Sequence, residues 1–451
     1  MKALLINPWI YDFTAFDLWS KPLGLLYIGS LLDRFGIEVS LIDTMDRNLA
    51  PGGKRKDFGT GKYLRTKVEK PKILEHVPRY FARYGMKEDD FIERLKANSD
   101  ADIVLMTSIM TYWYPGVLHA ANLIREHLPG KPIILGGIYA SLLPGHAEKH
   151  IRPDYLIEGP GEMQILKLLE REFGYQYDKS LLPQTLDDYP NPAFWLYPKL
   201  DYLVIMTSRG CPYNCSFCAQ KRISMPFQKR SPEKVIDEII ENYRHFGARD
   251  FAFYDDALFI ESDNHIKPIL RKIIELDLPL RFHTPNGLFA GMIDDELADL
   301  LYRANFKTMR LSFETSNENR RKDMAGKVTN QDMADAVEIL KKAGYKPYNI
   351  DAYVLMDLPN QDVEEVIESM KFVNRLGVKL RLASFSPIHG TAYFDKAVQL
   401  GLIPGDIDPL LTNKSIFPLS QATDPFEKFT RIRNLGEQMN LAAEKGEIFD
   451  G

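Results

Sequence analysis

The stretch Gly210-Cys211-Pro212-Tyr213-Asn214-Cys215-Ser216-Phe217-Cys218 contains every cysteine of the 451-residue chain. It follows the apolar run 202–207, which predicts a buried strand. Cysteines that are this concentrated indicate no disulfide framework, so the thiols are expected to act together as metal ligands. The C-x₃-C-x₂-C spacing puts three soft sulfur ligands on one loop, which suits an iron–sulfur cluster. Three cysteines leave one corner of a four-iron cluster without a protein ligand, and that corner is open for chemistry.

A structural zinc site is the alternative for this loop. Zinc in structural sites takes four protein ligands. The nearest histidine downstream is His245, which lies 27 residues after Cys218. The loop therefore offers little that could complete a tetrahedral site, and the cluster is favoured.

Composition sets the broad class of the protein. Hydrophobic residues make up 45% of the chain and charged residues 26%, with a net charge of −5, as in ordinary globular proteins. There is no excess of basic charge for nucleic acid and no apolar run of the roughly 20 residues that cross a membrane. The N-terminal stretch 1–8 is soon broken by Pro8 and does not read as a signal peptide. We expect a cytoplasmic protein without nucleic-acid or membrane partners.

The first part of the chain alternates short apolar runs with helical stretches, the pattern of a doubly wound parallel sheet. The runs are 3–6, 39–42, 103–106, 133–135 and 155–157. In such sheets, ligands bind at the carboxyl ends of the strands. We predict a Rossmann-like domain over 1–182 and a linker over 183–199, where prolines stand at 183, 190, 192 and 198.

The second part predicts a partial (β/α)₆ barrel over 200–391. Candidate strands are 202–207, 250–254, 281–284, 308–313, 350–356 and 379–385. Helices are predicted over 232–245, with Ser231 as N-cap, and over 294–304 and 331–343. The cysteine loop follows the first strand, at the end of the barrel where active sites form. Residues 392–451 are predicted to be a small C-terminal extension of mixed helix and loop.

A basic segment interrupts the first domain. Lys or Arg stands at positions 54, 55, 56, 62, 65, 67, 70 and 72, against the acids Asp57 and Glu69. Glycines at 53, 59 and 61 predict a loop. The segment is either a solvated basic face or a contact for an anionic substrate or a cofactor phosphate.

The cysteine motif, with Phe217 before its third cysteine, resembles the signature of the radical S-adenosylmethionine (SAM) superfamily. The resemblance implies that Cys211, Cys215 and Cys218 hold a [4Fe-4S] cluster whose open iron binds SAM. It extends to the strand ends, where Asp255 and Asp256 would receive the methionine ammonium group and Glu314 the ribose or methionine portion. The residues to which it gives cofactor-binding roles in the barrel are Phe217, Asp255, Asp256, Asn286, Arg310 and Glu314.

The assignment of Arg310 leaves an alternative open, and one turn departs from the pattern of the superfamily. Arg310 either pairs with the methionine carboxylate or forms a structural salt bridge. The segment 358–360 stands where relatives carry G-x-P-G, but Asp357 and Asn360 replace the glycines. Residues 386–391 match the closing P-x-x-G-T motif of the superfamily.

The first domain resembles the cobalamin-binding domain of class B radical SAM methyltransferases. Ser108-Ile109-Met110 and Gly136-Gly137 stand where that domain carries S-x-L and G-G, and 155–162 resembles its fifth-strand turn. The resemblance implies cobalamin contacts from Ser108, Met110, Tyr112, Trp113, Gly136, Gly137, Tyr139, Glu158 and Gly159. The D-x-H-x-x-G motif is absent, which implies base-off cobalamin without a histidine ligand. The aromatic residues at 112–114 either cover the lower face of cobalt or serve ordinary packing.

The resemblance implies a cobalamin-dependent radical C-methyltransferase. A deoxyadenosyl radical would abstract hydrogen from an unactivated carbon, which would then take the methyl group of methylcobalamin. The implied cofactors are the [4Fe-4S] cluster, SAM and cobalamin, and the implied partner is an external electron donor of the ferredoxin or flavodoxin kind. A protein or peptide side chain is one expected substrate. Methylthiotransferases and enzymes that methylate through their own cysteine need thiols that this chain lacks. A non-methylating cyclisation or rearrangement is the alternative.

Overall fold

The computed structural model describes residues 1–53 and 55–449, which form two compact units. The first unit comprises Met1–Asp201 together with Arg222–Met225 and Asp408–Leu411. The second unit begins at Tyr202 and contains the remaining described residues. The predicted linker therefore belongs to the first unit. Within the described residues we find no helix with the length and apolar character that crossing a bilayer requires.

The first unit is built around a parallel sheet. Its strands are β1 (Lys2–Asn7), β2 (Ile10–Asp12), β3 (Phe16–Asp17), β4 (Glu38–Asp43), β5 (Gly61–Lys62), β6 (Arg65–Lys67), β7 (Ala82–Tyr84), β8 (Ile103–Met106), β9 (Ile133–Leu135) and β10 (Tyr155–Leu156). Its helices are α1 (Leu23–Arg34), α2 (Glu88–Ala97), α3 (Tyr114–His127), α4 (Ile138–Leu142), α5 (Pro144–His150) and α6 (Glu162–Phe173). The main sheet has the order β10-β9-β8-β1-β4, and all of its pairs are parallel. The predicted doubly wound fold is confirmed.

The side chains of β1 point alternately to the two faces of the sheet, and both faces are covered by helices. Leu4 and Ile6 pack with Phe91 of α2 and Val117 of α3 in one core cluster. Their neighbours Ala3 and Leu5 pack in a second cluster with α1 and α6 on the opposite face. Because successive strand residues point to opposite faces, a run that is apolar throughout needs a cover on both sides.

The basic segment is a correction to the prediction of a loop. β2, β7 and β6 form a three-stranded antiparallel sheet, and β3 pairs with β5. Strands of two or three residues are too short to show a recognisable alternation in the sequence. Arg55 forms an ion pair with Asp201, and the ammonium of Lys67 lies 4.4 Å from the ring centre of Tyr80. Lys54 lies outside the described residues.

The second unit contains the barrel. Its strands are β11 (Leu203–Ile205), β12 (Ser208–Arg209), β13 (Gln228–Lys229), β14 (Asp250–Phe253), β15 (Arg281–His283), β16 (Leu288–Phe289), β17 (Phe306–Glu314), β18 (Ile350–Met356) and β19 (Lys379–Ser384). The order β11-β14-β15-β17-β18-β19 is parallel throughout, and β16 pairs with β17. All six predicted barrel strands are present in the predicted order.

Helices alternate with these strands. They are α7 (Gln220–Ile223), α8 (Pro232–Phe246), α9 (Ile266–Leu276), α10 (Asp295–Arg303), α11 (Glu318–Asp323), α12 (Asn330–Lys342), α13 (Val363–Arg375), α14 (Ala392–Gln399) and α15 (Pro425–Lys445). The Ser231 side chain accepts a hydrogen bond from the Lys234 N–H, which confirms the predicted N-cap of α8. The C-terminal extension contains the 21-residue helix α15, which packs against β19 and α13.

Candidate active site

The cysteine loop leaves the carboxyl end of β11 and turns tightly on itself. Cys215 is buried, Cys211 is half-buried and Cys218 is exposed. The Cys218 N–H donates to the Cys215 carbonyl at 3.1 Å, and the Gln220 N–H donates to the Cys218 sulfur at 3.4 Å. The backbone therefore fixes the loop and also directs an N–H group at a ligand sulfur.

The loop is fastened to two other elements of the barrel. The Ser216 hydroxyl donates to the Asp323 carbonyl at 2.6 Å, and the Tyr393 N–H donates to the Ser216 carbonyl at 2.9 Å. Tyr393 also donates its hydroxyl to the Asp323 carboxylate at 2.7 Å. Thr391 of the closing motif caps α14, the helix that carries Tyr393. The predicted closing motif thus positions a helix that braces the cysteine loop.

The three thiols fit a polynuclear cluster better than a single ion. Among the described residues, no three side chains of His, Cys, Asp or Glu converge as a mononuclear metal site requires. A cluster needs no such convergence, because each cysteine binds a different iron. Burial raises the pKa of the half-buried Cys211 thiol, and the charge of Cys215 raises it further. Iron at these sulfurs would relieve that repulsion, so the residues fit the cluster.

Asp255 and Asp256 have different surroundings. Thr207 and Ser208 each donate a backbone N–H and a hydroxyl to the Asp255 carboxylate, over 2.6–3.1 Å. Asp255 is therefore fully engaged in tying the end of β14 to the end of β11. The Asp256 carboxylate receives one amide N–H from Gln220 at 2.5 Å. Burial and the neighbouring Asp255 raise the pKa of Asp256 to about 7. Asp256 is the acid of this pair that keeps capacity for a cationic ligand.

Asn286 and Gly287 form the turn after β15. The Asn286 amide donates to the carbonyls of Tyr254 and Asp255 at 3.0 and 3.2 Å, so it links this turn to the end of β14. A Cβ atom on Gly287 would lie 2.2 Å from the Ser312 hydroxyl oxygen. A larger residue here would force the Ser312 side chain to move, so glycine allows the close approach between the turn and β17.

Arg310 and Glu314 occupy different levels of β17. Arg310 is buried, donates to the Tyr353 hydroxyl at 3.2 Å and lies 3.7 Å from the Asp351 carboxylate. These contacts match the structural salt bridge that the sequence left as an alternative. Glu314 ends the strand with φ of 65°, in the left-handed region. Burial raises the pKa of its carboxyl to about 7, and the charge of Lys327 opposes that rise.

Lys327 is a site residue that sequence reasoning missed. It lies beyond the short helix α11 and interacts with the sulfur of Cys215 and with the charges of Glu314 and Cys211. Burial disfavours its ammonium form, but these partners outweigh burial and raise the pKa of Lys327. Its place in the loop after α11 has no periodic signal, so the sequence alone did not single it out.

The loop after β18 keeps left-handed geometry without the glycines of relatives. Asp357 has φ of 66° and Asn360 has φ of 51°. Asp and Asn tolerate this region better than other side chains. Arg320 donates to the carbonyls of Pro359 and Asn360 at 2.9 and 3.0 Å and pairs with Glu365. Arg320 is a second residue that the sequence did not reveal.

In the first unit, the predicted ligand residues gather at the carboxyl edge of β8, β9 and β10. The Ser108 hydroxyl donates to the Gly136 carbonyl at 3.2 Å, and the Ile138 N–H donates to the Ser108 carbonyl at 2.8 Å. Gly137 has φ of 93°, and a Cβ there would lie 2.4 Å from the Ser108 carbonyl oxygen. Gly137 is thus required by the fold itself, whereas a Cβ on Gly136 would meet its nearest neighbour at 3.8 Å.

Ser141 joins two of these loops and was not predicted. Its hydroxyl donates to the Gly137 carbonyl and accepts from the Gly159 N–H, both at 2.8 Å. Glu158, next to Gly159, is exposed. Tyr139 is fully buried, and its hydroxyl lies 2.6 Å from Nδ1 of His146.

The segment after β8 contributes the remaining predicted residues. Met110 is half-buried and precedes the short helical turn that contains Tyr112 and Trp113. The Trp113 indole N–H donates to the Asp12 carboxylate at 2.7 Å. The Tyr112 hydroxyl is buried and has no hydrogen-bond partner among the described residues. A buried hydroxyl without a partner calls for an explanation, and a bound polar ligand is one.

Comparison with known proteins agrees with this geometry. Residues 205–373 match the sequence profile of the Radical SAM superfamily. These residues form a Radical SAM domain. Such a domain implies a four-iron cluster and SAM, and the predicted superfamily, enzyme class and fold are confirmed.

One curated relative is similar to this chain over most of the length of both proteins. It is the cytidylyl-2-hydroxyethylphosphonate methyltransferase of Streptomyces wedmorensis, 24% identical, with 89% of this chain and 82% of that protein covered. This relative is a methyltransferase, in agreement with the class predicted from the sequence.

Two solved structures share the fold of this chain. The radical SAM methyltransferase TsrM from Kitasatospora setae, with cobalamin and a [4Fe-4S] cluster bound, has a TM-score of 0.64 at 19% identity, and the match covers 95% of this chain and 84% of TsrM. OxsB, a cobalamin-dependent radical enzyme with aqua-cobalamin and SAM bound, has a TM-score of 0.65 at 13% identity, and the match covers 98% of this chain and 72% of OxsB. The likeness extends across both units.

Proposed function

We propose that the chain is a cobalamin-dependent radical SAM methyltransferase that adds a methyl group to an unactivated carbon of its substrate. The observation that carries this proposal is the cysteine loop at the barrel edge in a chain without any fourth cysteine. A methyltransferase that carries the methyl group on its own thiol needs a further cysteine. A methylthiotransferase needs more cysteines for a second cluster. A separate methyl carrier is therefore required, and the first unit has the fold of enzymes that bind one.

The proposed cobalamin site is the carboxyl edge of the first unit. Gly136 leaves room there, and the Tyr112 hydroxyl, on the helical turn after β8, would supply a donor. Ser141 keeps the β9 and β10 loops together around it. When bound, the cofactors supply the deoxyadenosyl radical and the transferable methyl group.

The residues of the barrel would bind and orient SAM. Asp256 would accept the methionine ammonium group, because its carboxylate has one protein donor and lies near the cysteine loop. The loop after β18, held by Arg320, would flank the adenosyl group. An external one-electron donor of the ferredoxin or flavodoxin kind completes the system. A cytoplasmic location stays a prediction.

Two substrate classes are worth testing first. A protein or peptide side chain is the class predicted from the sequence. The Streptomyces relative is named for a cytidylyl-linked phosphonate, so an anionic small molecule of that kind is the second class. Both substrate classes can be incubated with the same enzyme preparation. The class that yields a methylated product is then the substrate class of the enzyme.

The experiment that tests the reaction is anaerobic and needs no known substrate. The protein is reconstituted with iron, sulfide and hydroxocobalamin, desalted, and incubated with SAM and a strong reductant. We expect retained cobalt in a base-off spectrum and two SAM products. S-adenosylhomocysteine reports methyl transfer to the carrier, and 5′-deoxyadenosine reports radical formation. Cys215→Ala should lose 5′-deoxyadenosine.

The same experiment separates the proposed reaction from the alternative cyclisation or rearrangement. A non-methylating enzyme needs no methyl transfer from SAM. Formation of 5′-deoxyadenosine without S-adenosylhomocysteine, in protein that retains cobalt, would therefore contradict the methyltransferase proposal. Protein that retains no cobalt would contradict the proposed role of the first unit.

A further inference from the structure

Lys327 reaches the cysteine loop through an unusual turn. The two residues before it, Ala325 and Gly326, have φ of 94° and 59°. A positive φ at alanine is strained, and such strain persists where the surrounding structure enforces it. The preceding Asp323 is held by Ser216 of the cysteine loop through its carbonyl, at 2.6 Å. The turn and this anchor together hold Lys327 beside the thiols.

Aromatic rings partly shield the ammonium group of Lys327 from water. The rings of Tyr213 and Phe289 are stacked, with centres 4.6 Å apart and planes at 17°. The Lys327 nitrogen lies 4.6 Å from the centre of Phe289 and 5.3 Å from that of Tyr213. Aromatic faces attract cations, so the rings both position the charge and reduce its screening by solvent.

The charges around Lys327 are those of the cluster ligands. The charge of Lys327 interacts with the Cys215 and Cys211 thiols and with the Glu314 carboxyl. Its positive charge also acts on the Cys218 thiol and the Asp256 carboxyl. The charge of Lys327 therefore acts on the thiols of all three cysteines.

We propose that Lys327 sets the reduction potential of the iron–sulfur cluster held by the three cysteines. The proposal deepens the proposed function and rests on it for the identity of the cluster. Reduction transfers one electron from an external low-potential donor to the cluster, and no proton moves in that step. Because the reduced cluster carries one more negative charge, a fixed cation beside the cysteine loop stabilises it. Lys327 thereby raises the potential and makes a weaker donor sufficient.

Three variants of Lys327 separate its charge from its packing. Lys327→Arg keeps the charge, Lys327→Gln keeps an N–H donor without charge, and Lys327→Met keeps only the chain length. Lys322→Met is the matched control, since Lys322 is exposed on the short helix α11 that precedes Lys327. If the methionine variant fails to assemble the cluster, the glutamine variant still tests the charge.

The measurement is a redox titration of the reconstituted proteins, without SAM, followed by electron paramagnetic resonance of the reduced cluster. Removing the charge should lower the ratio of reduced to oxidised cluster at least tenfold at fixed potential, which is about 59 mV for one electron. Lys327→Arg and Lys322→Met should stay near the parent protein. With the same enzymes, SAM cleavage driven by flavodoxin should fall much more than cleavage driven by dithionite.

Two outcomes would overturn the proposal. An unchanged potential in Lys327→Gln, with SAM binding weakened at least tenfold, would make Lys327 a SAM contact instead. Equal shifts in the Lys327 and Lys322 variants would mean a non-specific effect of charge. Neither result depends on cobalt, so failure of this proposal and failure of the methyltransferase proposal are distinguishable.

Discussion

The Ser216 hydroxyl donates to the Asp323 carbonyl at 2.6 Å, and this bond joins the cysteine loop to the segment that leads to Lys327. Ser216 stands inside the cysteine motif, between the second and third cysteines. The spacing of the motif thus serves two purposes, since it sets the sulfur positions and also presents a hydroxyl for anchoring.

Ser216→Ala should loosen the cluster without removing a ligand. Loss of one hydrogen bond to a carbonyl costs roughly 1 kcal/mol of stability. We expect reconstituted protein to lose iron to a chelator several-fold faster than the parent protein. Ser99→Ala, at an exposed position of the first unit, is the control. Equal rates of iron loss in the two variants would show that the anchor has no role.

Gly136→Leu tests the cobalamin edge. An added Cβ at position 136 meets its nearest neighbour at an ordinary 3.8 Å, so the fold should tolerate the change while a bound ligand would not. We expect cobalamin affinity to fall roughly tenfold, equivalent to about 1.4 kcal/mol, at unchanged iron content.

Gly137→Ala is the structural counterpart of that variant. Its φ of 93° and the 2.4 Å approach to the Ser108 oxygen predict lost stability of more than about 1 kcal/mol, measured by urea unfolding. If Gly136→Leu also lowers the free energy of unfolding by this amount, position 136 is structural and the proposed contact is wrong.

Asp255→Ala should affect the stability of the protein, whereas Asp256→Ala should affect the binding of SAM. Removal of the Asp255 carboxylate leaves buried N–H groups of Thr207 and Ser208 without an acceptor, at roughly 1–3 kcal/mol each. We expect a large loss of unfolding free energy for Asp255→Ala. Asp256→Ala should keep the stability and weaken SAM binding about tenfold. Equilibrium dialysis with SAM and urea unfolding measure the two effects, and a stable Asp255→Ala protein would contradict the assignment.

Asp357 should make the stability depend on pH. Burial raises the pKa of its carboxyl to about 7, above the value of about 3.9 in an unfolded chain. Between these values the folded state binds more protons than the unfolded state, so stability falls as pH rises and is constant above the folded pKa. The loss between pH 5 and pH 8 is about 2–3 kcal/mol.

Asp357→Asn should remove the contribution of this carboxyl to that dependence. Asparagine tolerates the φ of 66° and keeps an oxygen for the Leu419 N–H, which donates to Asp357 at 3.4 Å. The variant should therefore match the parent protein near pH 5 and exceed its unfolding free energy at pH 8. The prediction would be wrong if the difference in unfolding free energy between the two proteins were the same at pH 5 and at pH 8.

The sequence was informative wherever the signal is local. The apolar runs predicted both parallel sheets, because strands covered on two faces are apolar throughout. The antiparallel pairing of the basic segment was not predicted, since β5 and β6 have two and three residues. Their partners, β3 and β7, lie elsewhere in the chain. Short strands become stable only through partners that a local pattern does not identify.

The residues of the candidate site also fall into two groups, those that the sequence predicted and those that only the structure identified. Cys211, Cys215 and Cys218 could be assigned from the sequence, because ligands on one loop keep their spacing in any fold that preserves the loop. Only the tertiary structure decided that Asp255 is engaged by Thr207 and Ser208 while Asp256 stays available, although the two acids are adjacent. The placement of Lys327 beside Tyr213 of the cysteine loop was also decided there. A contact between distant segments depends on how strands and turns pack, and it leaves no periodic trace in the sequence.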